Sequence, residues 1–265
     1  MDYEAILYEQ VEDKIFRVTL NRPEKLNALD LETFDALDQA ARTLEAESSV
    51  RAVVLHGAGE NFCAGIDLSV LQGGIADVGE SLLSPLEGSL ANRFQRAAYA
   101  WRELPMPVIC ALQGVTFGGG FQIAMGADLR YAAPATQLSI MESKWGLIPD
   151  MAISTTLRHI LPPDRVKELA WTARVFDAAE GLQLGVLTSV EEDPLATARR
   201  VAQDCAAKSP DAIRGIKCLV NEAWSRSEGD SLALEAQLQL RLLGTANQSE
   251  AVRANLEKRK PDFAD

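Results

Sequence analysis

Three features of the sequence predict an α/β body followed by a helical region. The order strand, strand, helix, strand is complete by residue 55, the alternation resumes after Pro107, and from Pro194 onward only helical patterns follow. The expected division is therefore 1–194 for the α/β body and 195–265 for the helical part. A chain of 265 residues is long enough to bury a sizeable core.

Residues 15–20 (IFRVTL) set Phe16, Val18 and Leu20 against Arg17 and Thr19, the period of a half-buried strand, and 5–11 is its hairpin partner across Glu12-Asp13-Lys14. Asp30 is an N-cap for a helix whose Leu31, Phe34, Leu37, Ala41 and Leu44 recur at spacings of three and four. A short apolar run at 50–55 (VRAVVL) follows as a strand. The Gly- and Ser-containing stretch 73–88 reads as a loop or loose helix ahead of a helix over 91–103. Then come a buried strand at 107–112, a short helix at 118–126, strands at 128–133 and 137–140, and a helix at 151–161. The last four helices are expected at 196–208, 211–224 behind Ser209-Pro210, 231–243 and 248–258.

Composition excludes several classes of function. Lys and Arg number 26 against 38 Asp and Glu, and the net charge of -12 repels a polyphosphate, so nucleic acid is not the expected partner. No run of 18 apolar residues appears, which argues against a membrane span. Cys63, Cys110, Cys205 and Cys218 show no close pairing, and the first ten residues have neither a basic region nor an apolar core, so a reduced, cytoplasmic protein is expected. His56 and His159 are too few and too isolated for a metal cluster, and Ser154, Thr155 and Thr156 carry no nucleophile-elbow motif.

Two strand-to-turn junctions carry the chemical signal. A decoy precedes them: Gly57-Ala58-Gly59 begins like a dinucleotide fingerprint, but Phe62 takes the place of the third glycine and no helix follows. The first real junction is Phe62-Cys63-Ala64-Gly65-Ile66-Asp67-Leu68, and the second runs from Gln113 through Gly118-Gly119-Gly120 to Gln122. Glycines ahead of a helix bring backbone N–H groups close to a ligand at the positive end of the helix dipole, which suits a developing oxyanion. A lone glycine cluster reads first as tight helix packing; the two junctions together reverse that reading in favour of a ligand site.

These motifs, with Asn21-Arg22-Pro23-x-Lys25-x-Asn27-Ala28-Leu29, Trp145-Gly146-Leu147-Ile148-Pro149, Thr172-Ala173-Arg174 and the terminal Glu257-Lys258-Arg259-Lys260-Pro261-x-Phe263, resemble the crotonase, or enoyl-CoA hydratase/isomerase, superfamily over most of the chain. The resemblance implies a crotonase-like (ClpP/crotonase) spiral of ββα repeats with a C-terminal helical extension that joins subunits and covers the active site. It implies a homotrimer or dimer of trimers, an acyl-CoA substrate, and no cofactor beyond the CoA that the substrate carries. It places the two oxyanion-hole donors on the backbone N–H groups of Ala64 and Gly119. It assigns CoA contacts to Lys25, to Ala64, Gly65, Ile66, Asp67 and Leu68, and to Lys258 and Lys260 across a subunit boundary. Read alone, that basic tail is equally a solvated helix end.

At the catalytic carboxylates the sequence departs from the family hydratases, which carry one glutamate two residues after the third glycine and another before the W/L-G-x-x-P turn. Here those positions hold Gln122 and Glu142. Glutamine has no useful acid–base equilibrium, so a two-carboxylate addition of water cannot be written. Asp150 lies eight residues after Glu142, the spacing of an aspartate in the family's dienoyl-CoA isomerases. From spacing alone Asp150 is a helix N-cap and Glu142 a surface charge; in the family register both enter the site. The expected activity is double-bond isomerisation of an enoyl- or dienoyl-CoA through an enolate, with Glu142 moving the proton, Asp150 as partner and Gln122 orienting substrate or water. The alternatives are a 2-enoyl-CoA hydratase and, in another class, a non-catalytic acyl-CoA-binding scaffold.

Overall fold

The computed structural model describes residues 5–72 and 82–265, so the first half of the 73–88 stretch lies outside the described residues. Strands β1 (Ile6–Glu12) and β2 (Ile15–Leu20) form the expected antiparallel hairpin. β3 (Ala52–Gly57), β4 (Val108–Leu112), β6 (Leu129–Ala132) and β9 (Ser189–Val190) continue the sheet in parallel, in the order β1-β2-β3-β4-β6-β9. Both faces of the central strands are covered, which is why AVVLHG and VICAL are nearly continuous apolar runs rather than alternating ones. A smaller sheet, β5-β7-β8, is built from β5 (Val115–Phe117), β7 (Gln137–Ser139) and β8 (Phe176–Asp177).

Helix α1 (Leu31–Ala46) starts where its cap requires: the Asp30 carboxylate accepts the Thr33 N–H at 2.8 Å. α2 (Leu68–Gln72) is short. α3 (Arg93–Glu103) opens with a capping box of Asn92 and Gln95. α1 and α3 meet through the edge-to-face pair Phe34–Phe94, with ring centroids 5.0 Å apart. α4 (Gly119–Gly126) is buried along its whole length. At its last residue α3 comes closest: a Cβ on Gly126 would stand 2.0 Å from the Ala98 carbonyl oxygen. Because that obstacle is backbone and cannot swing away, Gly126→Ala is expected to lower unfolding free energy by about 3 kcal/mol in urea titration. A change under about 0.5 kcal/mol would mean that α3 yields freely.

The chain then passes α5 (Ile153–Thr156), α6 (Pro163–Thr172) and α7 (Ala178–Leu184). The helix expected over 151–161 is thus cut to one turn. Ala152 precedes it in the left-handed region (φ 64), and Pro162 and Pro163 withhold the donors that would carry a helix across. α8 (Pro194–Ala206) begins at the expected boundary but packs on the body, with Ala198 and Ala202 against Ile15, Val54, Ile109, Ala111 and Tyr131 on the sheet's second face. The body's packing therefore runs on past residue 194.

α9 (Pro210–Ala223), α10 (Glu228–Leu242) and α11 (Ala246–Glu257) follow. α9 is tied to the body by Lys217, buried against Asp128 at 2.7 Å and donating to the Trp101 and Met106 carbonyls at 3.0 Å. The last residues return to the strands' N-terminal ends, where Arg51 donates to the carbonyls of Phe263 and Ala264 and to the Asp265 carboxylate. All four cysteines are free. No helix among the described residues is long and apolar enough to cross a membrane.

Candidate active site

The turn after β3 is held by polar side chains that leave it little freedom. Asn27, itself left-handed at φ 55, donates to the carbonyls of Ala58 at 2.9 Å and Asn61 at 2.8 Å. Asn61 Oδ1 accepts the Val115 N–H at 3.0 Å, and Gln113 Nε2 reaches the Gly57 carbonyl at 2.7 Å. Cys63 then pairs on both sides with β5, its N–H to Val115 O and its carbonyl from Phe117 N–H. The two junctions singled out in the sequence are thereby zipped together. Their contact allows no side chains: a Cβ on Gly120 would meet the Cys63 carbonyl at 2.5 Å, and one on Gly65 would sit 2.9 Å from Phe117 O and 3.5 Å from Gly119 N.

Gly119 is the first residue of α4, so its N–H has no intrahelical acceptor, and none among the described residues meets it. Ala64 differs. Its N–H donates to the Leu26 carbonyl at 2.9 Å, presented by the left-handed turn at Leu26 and Asn27. The structure therefore brings both expected donors to one place but leaves only Gly119 uncommitted.

Glu142 opens a 3₁₀ turn, Glu142–Trp145, closed by left-handed Gly146. Its carboxyl points back at α4: a Cβ on Gly118 would lie 3.4 Å from Oε1. Glu142 is buried, not the surface charge that spacing alone suggested, and Oε1 accepts from Gln122 Nε2 at 2.6 Å. The Gln122 side-chain oxygen, Oε1, accepts the Met151 N–H at 2.8 Å, and Glu142 Oε2 is buried with no partner among the described residues. Burial pushes the Glu142 carboxyl above its ordinary value; the backbone and the Gln122 amide pull it down and the charge of Asp150 pushes it up. Asp150 itself is exposed at the rim, and desolvation by the flanking protein raises its carboxyl too. Asp150 does not cap a helix. The capping position of α5 is Ala152, without a side-chain bond.

The expected CoA contacts divide. Asp67 is engaged locally, accepting from Ser69 N at 3.0 Å and Oγ at 2.8 Å and pairing with Arg22 at 3.1 Å; these bonds hold its carboxyl below the usual range. Gly65 and Ile66 run beside Leu29, with the Gly65 carbonyl accepting the Leu29 N–H at 2.8 Å. Leu68 and Lys25 are exposed, Lys25 in the 3₁₀ turn Pro23–Lys25. Within one chain Lys258 and Lys260 are not brought to this loop. They lead into the tail docked on Arg51 at the other end of the sheet. Cys63 is pushed up to about 12 by burial and stays a thiol, and His56 is pushed down to about 4 by burial and Arg17. Among the described residues no three His, Cys, Asp or Glu side chains converge as a metal site would require. Asn27, Asn61 and the Met151 N–H were not foreseen as site elements. A hint lay in the asparagine of the Asn-Ala-Leu motif, since asparagine tolerates the left-handed region and hydrogen-bonds locally.

A mixed α/β body with a helical C-terminal part is the architecture this chain shares with crotonase-fold proteins. The chain belongs to the enoyl-CoA hydratase/isomerase family, an enzyme family whose description matches residues 10–265. It is 32% identical, over 99% of both chains, to a Mycobacterium bovis protein named "Probable enoyl-CoA hydratase echA8". It is 31% identical to the peroxisomal Delta(3,5)-Delta(2,4)-dienoyl-CoA isomerase of Arabidopsis thaliana, covering 98% of this chain and 96% of that one. Among solved structures it resembles the enoyl-CoA hydratase from Bacillus anthracis, with a TM-score of 0.89, 27% identity and 98% of each chain covered.

Proposed function

We propose that the protein isomerises a double bond in an enoyl- or dienoyl-CoA thioester. The observation that carries this reading is the buried carboxyl at the site, Glu142, whose Oε1 faces Gly118 at the start of α4 and whose Oε2 has no partner among the described residues. In the forward step Oε2 takes the α-proton of a 3-enoyl-CoA. The electron pair of that C–H bond moves into a dienolate whose charge rests on the thioester oxygen. Gly119 N–H stabilises that charge, joined by Ala64 N–H once the oxygen shares it with or takes it from Leu26. Returning the proton at the γ-carbon moves the double bond to the α,β position, and Glu142 is again a carboxylate. Asp150 is the second carrier for dienoyl substrates, whose proton must travel further. CoA enters as part of the substrate and the step calls for no other cofactor. Lys25 and the 64–68 loop are its proposed docking elements, with Lys258 and Lys260 supplied by a neighbouring subunit.

A 2-enoyl-CoA hydratase is the second reading, favoured by the hydratase names of relatives. A panel of 2-enoyl-, 3-enoyl- and 3,5-dienoyl-CoA thioesters followed by absorbance separates the readings. Conversion of the 3-enoyl or dienoyl compound outpacing hydration supports isomerisation; dominant hydration of the 2-enoyl compound reverses the order; no turnover of any leaves an acyl-CoA-binding scaffold.

We also propose a homotrimer or dimer of trimers. Ile216, Trp224, Leu232, Leu240 and Leu243 are exposed on or beside α9 and α10, and Ile148 and Trp171 are exposed elsewhere. Light scattering at micromolar concentration should give three or six times the chain mass, and a stable monomer would contradict this.

A further inference from the structure

Gln122 stands where the family hydratases carry a carboxylate, and its surroundings give it a defined task. It is 1% exposed, and its two amide atoms have distinct partners. Oε1 accepts the Met151 backbone N–H at 2.8 Å; Nε2 donates to Glu142 Oε1 at 2.6 Å. A backbone N–H can only donate, so the Met151 bond fixes which end of the amide is oxygen and turns the NH₂ toward the carboxylate. A Glu at this position would turn a second acceptor toward Glu142 instead.

We propose that Gln122 is a positioning residue that acts through Glu142, holding Oε1 so that Oε2 moves the proton and closing the gap in which water would be held for addition. This inference rests on the isomerase reading and deepens it. A water bridging two groups needs about 2.8 Å to each, a separation of roughly 5 Å. The direct 2.6 Å bond between Gln122 and Glu142 excludes such a water from between them. The orphaned Oε2 is the complement: the amide satisfies one carboxylate oxygen, and the other is left for substrate. The groups facing Glu142 are the neutral amide from α4, the backbone of the Gly118–Gly119 turn, and Asp150 from the segment after the 3₁₀ turn, so Asp150 is the charge that enters its titration.

Two substitutions test the role, each read first without turnover. The Glu142 carboxyl is titrated by its infrared band, assigned by its loss in Glu142→Gln, in the whole 265-residue chain. Gln122→Leu keeps the volume and removes the donor, so the ionised carboxylate loses a hydrogen bond and its midpoint should rise by about one pH unit. The acid limb of kcat/KM should rise with it, and kcat should fall by about 10-fold or more with KM little changed. Gln122→Glu keeps the acceptor for Met151 and faces Glu142 with a second carboxyl, so the pair should share one proton and titrate in two separated steps. The protonated Glu can stand in for the amide, so activity should be bell-shaped in pH where the unmodified protein shows a plateau. A Glu142 midpoint within about 0.2 pH units of the parent in Gln122→Leu, or one unsplit titration in Gln122→Glu, would overturn the positioning role. If the midpoints move as expected but no 3-enoyl-CoA is isomerised, the positioning of Glu142 stands and the isomerase reading fails.

Discussion

Glu142→Gln should reduce 3-enoyl-CoA isomerisation by about 10³-fold while raising the melting temperature above neutral pH. The two effects share one cause. Burial lifts the Glu142 pKa above the ordinary carboxyl value it has in the unfolded chain. A group shifted upward contributes stability that is complete below its unfolded pKa and is lost as pH rises through its folded pKa. Above that pH the folded protein carries a buried charge, needed for proton abstraction and costly to stability. Glutamine removes the charge and still offers an oxygen to Gln122 Nε2, so the fold relaxes while the base is gone. The melting-temperature gap should close as pH falls below the Glu142 pKa, and kcat/KM of the unmodified protein should decline over the same interval, above the ordinary carboxylate range. Calorimetric scans at several pH values and a pH–rate profile check both. A destabilised Glu142→Gln protein at pH 8 would show that the carboxylate has partners the structure does not reveal.

Gly119→Pro should lower kcat/KM by about 10²- to 10³-fold with acyl-CoA binding retained. Gly119 is the first residue of α4, a position where proline is best tolerated because its N–H has no intrahelical acceptor. The substitution therefore deletes the uncommitted Gly119 donor at little cost to the helix. It also adds a Cβ, which would approach Leu29 Cδ1 at 2.9 Å and Met151 Sδ at 3.0 Å. Both are ends of flexible side chains, and Gly119→Ala adds the same carbon while keeping the N–H. The ratio of the two variants in kcat/KM isolates the donor. Equal losses would mean that the effect is crowding and that Gly119 N–H does not hold the enolate.

Much of this arrangement was legible before the structure. Asp30 capping α1 and the apolar run of β4 are local signals that local chemistry decided, and β2 forms where its pattern put it, though Val18, Thr19 and Leu20 are buried in succession rather than alternating. The glycines at 118–120 pointed to a close approach, and Cys63 on one side with Leu29 and Met151 on the other show what approaches. What escaped was set by distant partners. β8 and β9 have two residues each, too few for any period, and exist because β7 and β6 offer them edges. Ala152 in the left-handed region has no sequence signature, so the one-turn α5 read as a longer helix and Asp150 as its cap. The small-residue stripe of α8 gave no hint of the second sheet face it covers. At the site, Glu142 and Gln122 were legible as positions, but not that they bond each other, because the Met151 N–H that orients the amide lies 29 residues away.

The most direct test of the central claim is proton NMR of a 3-enoyl-CoA incubated with the unmodified protein in D₂O. Isomerisation through a dienolate predicts conversion to 2-enoyl-CoA, with deuterium at the γ-carbon only in the fraction where the Glu142 proton exchanges with solvent before its return, and loss of conversion in Glu142→Gln. Accumulation of 3-hydroxyacyl-CoA from the 2-enoyl compound, with the 3-enoyl compound left unconverted, would contradict it.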